Sequence, residues 1–278
     1  MTRALLSAGF IAAALAAAMP AAAIELPTGI DNAAQGTSST PSPRRLAVGA
    51  GIAVAPDYEG SDDYGLAPVW NLRAGDLFHP ETFVQITGLS LRSNLLADEH
   101  FRLGVSGRYL GDYDDVDDSK VNDLDIDDTL LFGLTVGYDF RRGLRNDAAI
   151  EVDAQYDILE GNGGVLTPRF RWRNPIAQRM AVESTLSATW ASEDYLDNRF
   201  GIGSQDAQRS GLGRYDADAG FKNATLTGSL SYQLNPAWSV TGLTAFTRML
   251  GDAEDSPVVD DRGEPNQLLG GVLVNLLF

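Results

Sequence analysis

Between Asp147 and Ile158 the chain alternates. Ala148, Ile150, Val152, Ala154, Tyr156 and Ile158 fall on one face, and Asp147, Glu151, Asp153, Gln155 and Asp157 on the other. A period of two is that of a β-strand with one apolar and one polar face. Comparable segments recur near 45–55, 64–74, 80–87, 89–96, 100–110, 129–140, 147–158, 164–174, 179–190, 221–234, 237–248 and 267–278. Soluble sandwiches alternate too, so length decides. Many of these segments reach the roughly nine to eleven residues that a tilted strand needs to cross a hydrocarbon core, whereas soluble strands average about five or six. The pattern predicts an all-β fold: a transmembrane antiparallel up-and-down β-barrel over residues 45–278, with about 12 strands, or about 10 if 80–96 does not cross twice. An even count puts both ends of the barrel in the periplasm.

The connections support this order. Leu96–Glu99, Arg141–Asn146, Asn174–Gln178 and Asn235-Pro236 read as tight turns, while Gly111–Asp128, Ala191–Gly220 and Met249–Asn266 are long, mostly polar and read as loops without regular structure. The junction at Thr87-Gly88 breaks the rule, being short where a long loop is due. Aromatic residues collect toward strand ends (Tyr109, Tyr138, Phe140, Tyr156, Trp172, Trp190, Tyr232 and Trp238), as interfacial girdles require. The closing segment alternates through Leu268, Val272, Val274 and Leu276 to a terminal Phe278.

In 164–174, Leu166, Pro168, Phe170 and Trp172 oppose Thr167, Arg169, Arg171 and Arg173. An arginine facing acyl chains costs about 2–4 kcal/mol near the midplane, so this ladder must face the lumen, beside Glu151 and Asp153 and near Glu183. Arg92, Arg102 and Arg108 join the same inner surface. Two readings follow: charge pairing that fills a narrow lumen, or an anion-selective filter.

Arg3, an apolar run over 4–19 and small residues at 20–23 read as a secretory signal peptide, residues 1–23, cut after Ala23. The alternative, an anchoring helix, is opposed by Pro20 and the polar tail that follows. Residues 24–44, rich in Ser, Thr and Pro, read as a disordered periplasmic lead-in. The expected location is therefore the outer membrane of a Gram-negative bacterium, with lipid and lipopolysaccharide as surroundings. With no cysteine, neither disulfides nor a lipoprotein anchor is available. The charge of −17 makes nucleic acid an improbable partner. The acid concentrates in the loop blocks Asp57–Asp63, Asp112–Asp118 with Asp123–Asp128, and Asp252–Asp261.

No catalytic, cofactor or metal site emerges. His79 and His100 are the only histidines, and neither has a recognisable partner set; a barrel hydrolase would pair a serine and a histidine near the outer rim, and His100 is at the wrong end. Asp112, Asp114, Asp115, Asp117 and Asp118 supply oxygen ligands, but without a calcium-loop motif they read as a solvated acidic loop, bridged by divalent ions to lipopolysaccharide phosphates. Gly201–Gly213 follows no buried parallel strand and opens no helix, so it is not a phosphate cradle.

Three blocks carry a family resemblance. Ala55-Pro56-Asp57-Tyr58-Glu59-Gly60-Ser61-Asp62-Asp63-Tyr64 follows the first strand. Ser210-Gly211-Leu212, Tyr215-Asp216-Ala217 and Gly220-Phe221-Lys222 precede the antepenultimate one. Leu250-Gly251-Asp252-Ala253-Glu254-Asp255-Ser256-Pro257-Val258-Val259 forms the last outer loop, before Asn266-Gln267. Together they resemble the MipA/OmpV family of outer-membrane proteins, over roughly 45–278. The resemblance implies a non-enzymatic scaffold that links a lytic transglycosylase, MltA, to a bifunctional peptidoglycan synthase, with no contact residue to carry over. A small passive pore favouring anions is the alternative, and a barrel enzyme acting on lipid is a third reading.

Overall fold

The computed structural model describes residues 46–113, 116–142 and 146–278; the signal-peptide and lead-in expectations for 1–44 lie outside it. Twelve strands pair antiparallel, each with its sequence neighbours, and the last returns to the first to close a barrel. They are β1 (Leu46–Pro56), β2 (Tyr64–Gly75), β3 (Phe83–Thr87), β4 (Ser90–Asn94), β5 (Phe101–Leu110) and β6 (Thr129–Arg142). Then follow β7 (Asn146–Asp157), β8 (Gly164–Ala177), β9 (Met180–Ala191), β10 (Gly220–Gln233), β11 (Trp238–Met249) and β12 (Asn266–Leu277).

Alternation is turned inside out relative to a soluble protein. On β8, Phe170 is 47% exposed and Arg169 only 4%. Leu134, Ile150, Leu186, Leu226 and Val272 likewise point outward. Such an apolar exterior is stable only in lipid, and a closed ladder leaves few backbone groups unpaired there. Phe101, Tyr138 and Phe140 pack edge to face at the end that carries the short turns. At the β1–β12 seam Val48 faces Leu276 and Val54 faces Gly270. The backbones approach closely there, since a Cβ on Gly51 would stand 2.0 Å from the Val272 carbonyl oxygen.

The irregular junction at Thr87-Gly88 now has a cause. β3 and β4 are five residues each, shorter than the expected 80–87 and 89–96. Thr82 Oγ accepts from the Phe78 and His79 amides (3.4 and 3.2 Å) and so holds 79–82 in a turn rather than a strand. At the other tip Gly88 takes a positive φ, and its amide donates to the Trp70 carbonyl at 2.9 Å. The count is twelve, but β3 and β4 wall only the turn-end half of the barrel. Beyond them β2 pairs with β1 alone, and Pro68, which has no amide to leave unpaired, lies in that stretch. β8 also runs past the turn expected at Asn174–Gln178, with a bulge between Pro175 and Ala177.

The long loops are not structureless. They carry α1 (Ser119–Asn122), α2 (Glu193–Phe200), α3 (Ser204–Ser210), α4 (Gly251–Asp255) and α5 (Pro257–Asp260). Asp118 caps α1, Ser192 caps α2, and Ser256 caps α5, whose first residue is Pro257. Tyr195, Leu196 and Phe200 pack with Leu110, Leu131 and Met249 at the barrel mouth, while Tyr113, Leu124, Ile126, Ile202 and Val258 form a second apolar cluster. The loops thus fold into a cap with its own core.

Candidate functional site

The inward faces of β4 to β9 bring long charged side chains into a space that alternation reserves for polar groups. Arg169 pairs with Asp153, which lies 3.9 Å from Arg92. Arg92 meets Glu151 at 2.7 Å, and Glu151 accepts from Arg102 at 3.3 Å. Arg102 pairs with Asp139, Asp139 accepts from Arg171 at 3.0 Å, and Arg171 lies 3.9 Å from Glu183. Eight groups therefore alternate in sign, from Arg169 to Glu183, across the inward faces of β4 to β9. Desolvating one such pair is costly; sharing each interior carboxylate between two guanidinium groups recovers much of that cost. Thr135 adds a hydroxyl to Asp153.

Of the expected lumen charges, Arg92, Arg102, Glu151, Asp153, Arg169 and Arg171 meet in this chain. Arg173 lies nearer the turn end, in register with Asp147 on β7 and Glu183 on β9. Arg108 lies apart, nearer the loops. Asp139 was missed by sequence reasoning, although its position between outward Tyr138 and Phe140 marks it as inward. Arg73 was missed too; it donates to Gln85 at 2.9 Å, with its guanidinium 3.8 Å over the Phe83 ring.

On the loop side of the chain lies a cavity of about 60 Å³. Its walls include Arg108, Gln155, Thr167, Thr189, Thr225 and Thr247, and its roof includes Tyr58, Glu59 and Tyr195. A register shift at Phe221–Asn223 turns both Lys222 and Asn223 inward. Lys222 Nζ holds Glu59 Oε2 at 2.7 Å, and Asn223 donates to Glu59 Oε1 at 2.8 Å. This clasp ties the loop after β1 to β10 inside the barrel mouth.

The signature loops prove to be cap components. Pro56 ends β1 and lines the cavity. The Asp117 amide donates to the Asp57 carboxylate (2.9 Å), and Tyr58 packs on Tyr113 with ring centroids 5.1 Å apart while donating to the Arg262 carbonyl at 3.1 Å. Burial, then the neighbouring Tyr113 and Asp118, push the Tyr58 hydroxyl pKa upward. Gly60 has a φ of +102, and a Cβ there would meet Val259 at 2.5 Å, so both conformation and space require glycine. Gln267 donates to the carbonyls of Tyr58 and Ser61 (3.3 and 3.1 Å). Asp62 and Asp63 remain exposed, and the Tyr64 hydroxyl accepts from the Leu268 amide at 3.0 Å. In the last loop Gly251 opens α4, and Asp252 accepts from the Asp218 amide at 2.6 Å and from the Tyr215 hydroxyl at 2.9 Å. Burial and then Asp252 push that tyrosine up to about 12. Ser256 donates to the Phe200 carbonyl at 2.6 Å.

The family model described as MltA-interacting protein MipA matches residues 48–278, all but the first two residues of the barrel and all of its cap. The chain belongs to the MipA family. Among curated members, the MltA-interacting proteins of Escherichia coli (strain K12) and Shigella flexneri are each 28% identical to it over 107 residues, 37% of this chain. The matched stretch spans 42% of the length of each relative. Among solved structures, the NanC porin aligns over 83% of this chain and 98% of its own (TM-score 0.45, 10% identity). An outer-membrane channel from Pseudomonas putida F1 aligns over 94% and 99% (TM-score 0.42, 12% identity).

The remaining chemistry of this MipA-family chain is structural in its contacts. His79 Nδ1 accepts from the Glu81 amide at 3.4 Å, and the His100 ring sits 5.8 Å from that of Tyr138. Among the described residues no three His, Asp or Glu side chains gather to hold a metal. Asp118, expected in a solvated loop, is half-buried: it caps α1 and pairs with Arg262. Asp114 and Asp115 lie outside the described residues. Gly203, expected to open no helix, precedes α3, whose first turn carries Asp206. Arg199, unforeseen, is buried with its guanidinium 4.7 Å from the Tyr113 ring and donates to the Gly111 carbonyl at 3.0 Å, joining two loops.

Proposed function

We propose that this protein is a self-closed barrel of the Gram-negative outer membrane, delivered there after cleavage of residues 1–23. In this reading it works as a scaffold rather than a conduit, with its short-turn end in the periplasm and its cap outside. That rim recruits a lytic transglycosylase and, through it, a peptidoglycan synthase. The eight-group ion chain carries the reading, because a lumen filled by its own paired charges leaves the outer rims as the working surfaces. The family supports the partner class, its members being named for interaction with MltA. Lipid and lipopolysaccharide surround the wall, and the acidic loops meet lipopolysaccharide phosphates through divalent ions. No residue is assigned a catalytic, cofactor or metal role.

Reconstitution of the refolded chain in planar bilayers tests this, alongside an Arg171→Glu variant. Silence from both, with heat-modifiable migration demonstrating folded barrels, supports a closed scaffold. Capture of a purified lytic transglycosylase by the immobilised barrel then tests recruitment. The second reading, a small anion-favouring pore, draws on Arg73, Arg108 and Arg173, which lie in the lumen outside the balanced chain. It predicts steady openings whose anion preference falls in Arg171→Glu.

A further inference from the structure

We propose that the cavity between the ion chain and the cap is a binding site for one small oxyanion of the carboxylate or phosphate class, held by Arg108 with Gln155. Arg108 is half-buried and lines the cavity. Among the described residues it makes no ion pair and no hydrogen bond, in contrast to the arginines of the chain. Gln155 lines the same cavity, also without a side-chain partner among the described residues. The single carboxylate on the cavity wall is Glu59, and both of its oxygens are engaged, by Lys222 and Asn223. Arg108 thus borders a cavity whose one carboxylate is already engaged. An anion placed there gains charge-assisted hydrogen bonds in a fork geometry matched to two oxygens.

The neutral donors fit the same ligand. Thr167 and Thr189 share one hydroxyl hydrogen bond (3.3 Å), and Thr225 and Thr247 share another (2.9 Å). In each pair the accepting hydroxyl keeps its own hydrogen, so each pair has one donor to turn toward the cavity. At roughly 10–15 Å³ per water, the cavity has room for about four to six waters, the space of one small oxyanion. This site stands whether or not the rim recruits a partner.

Isothermal titration of the refolded full chain in detergent tests it, with acetate, inorganic phosphate and chloride as separate probes at constant ionic strength. One saturable site for acetate or phosphate is expected, and the stronger of the two names the class. Arg108→Gln should weaken binding by about tenfold or more and Gln155→Leu by a smaller factor, with Arg214→Gln, an exposed arginine, unchanged. No saturable binding to the native chain, equal binding of chloride, or undiminished affinity in Arg108→Gln overturns the proposal. Should Arg108→Gln not fold, Arg108→Lys keeps the charge without the fork. Weakened binding in both Arg108→Lys and Gln155→Leu then supports the site, and native affinity in either overturns it.

Discussion

The lumen and the cap of the same barrel are packed by opposite means. In the lumen, where a soluble fold would place its apolar core, Arg92, Arg102, Arg169 and Arg171 alternate with Asp139, Glu151, Asp153 and Glu183. In the cap, drawn from the most acidic stretches of the chain, Tyr195, Leu196 and Phe200 are fully enclosed. The difference follows from the backbone. A strand that shows lipid one face must turn its polar residues inward at every second position, so the lumen is packed by hydrogen-bonded and ion-paired side chains. Loops have no such period and are free to bury what apolar residues they own.

The sharpest break in that comparison is Glu151→Leu. It leaves Arg92 and Arg102 each short of a carboxylate inside the wall, and breaking a buried network in this way costs about 3–5 kcal/mol. The loss should appear as a lower urea midpoint for the whole barrel. Phe200→Ala removes a buried ring from the cap, worth about 3 kcal/mol at the lower end of such truncations, but its effect should stay local. Trypsin should then cut within 191–220 while the barrel remains heat-modifiable. Ser256→Ala, which removes a helix cap and a buried hydrogen bond to Phe200, should destabilise the cap by about 1–2 kcal/mol in hydrogen exchange.

The smallest effect is a pH dependence. Burial pushes the Asp118 carboxyl up, but Arg262 and the amides of Val121 and Lys120 outweigh it and hold the group below the usual carboxylate range. A depressed folded value stabilises above the ordinary aspartate value of about 4 and is lost as pH falls through the folded one. Protease protection of 116–128 should therefore weaken below about pH 4 in the native chain. In Arg262→Gln that weakening should begin at higher pH; an unchanged profile would remove Asp118 as its cause.

Strand identity and facing were legible because period-two alternation is a local property, and most boundaries fall within one or two residues of expectation. Height within the barrel was not. Arg108 and Arg102 share a face of β5, yet one lines the cavity and the other joins the chain, because the stagger between strands sets their level. The same stagger lets Arg92 on β4 reach Glu151 on β7. The cap was illegible for a different reason: its apolar residues are few and scattered among carboxylates. Ser192 before Glu193-Asp194 and Ser256 before Pro257 were the available signals, both helix starts.

The β1–β12 seam has a kinetic consequence. It joins residues from opposite ends of the described chain, so it carries the largest loop-closure entropy of any strand pair, and the hairpins can zip before it. Until it forms, the wall is an open sheet with two free edges, each able to pair with a second chain. The narrow approach at Gly51 then acts as a gate in time: a bulky residue there would prolong the interval in which the unclosed sheet is vulnerable to association.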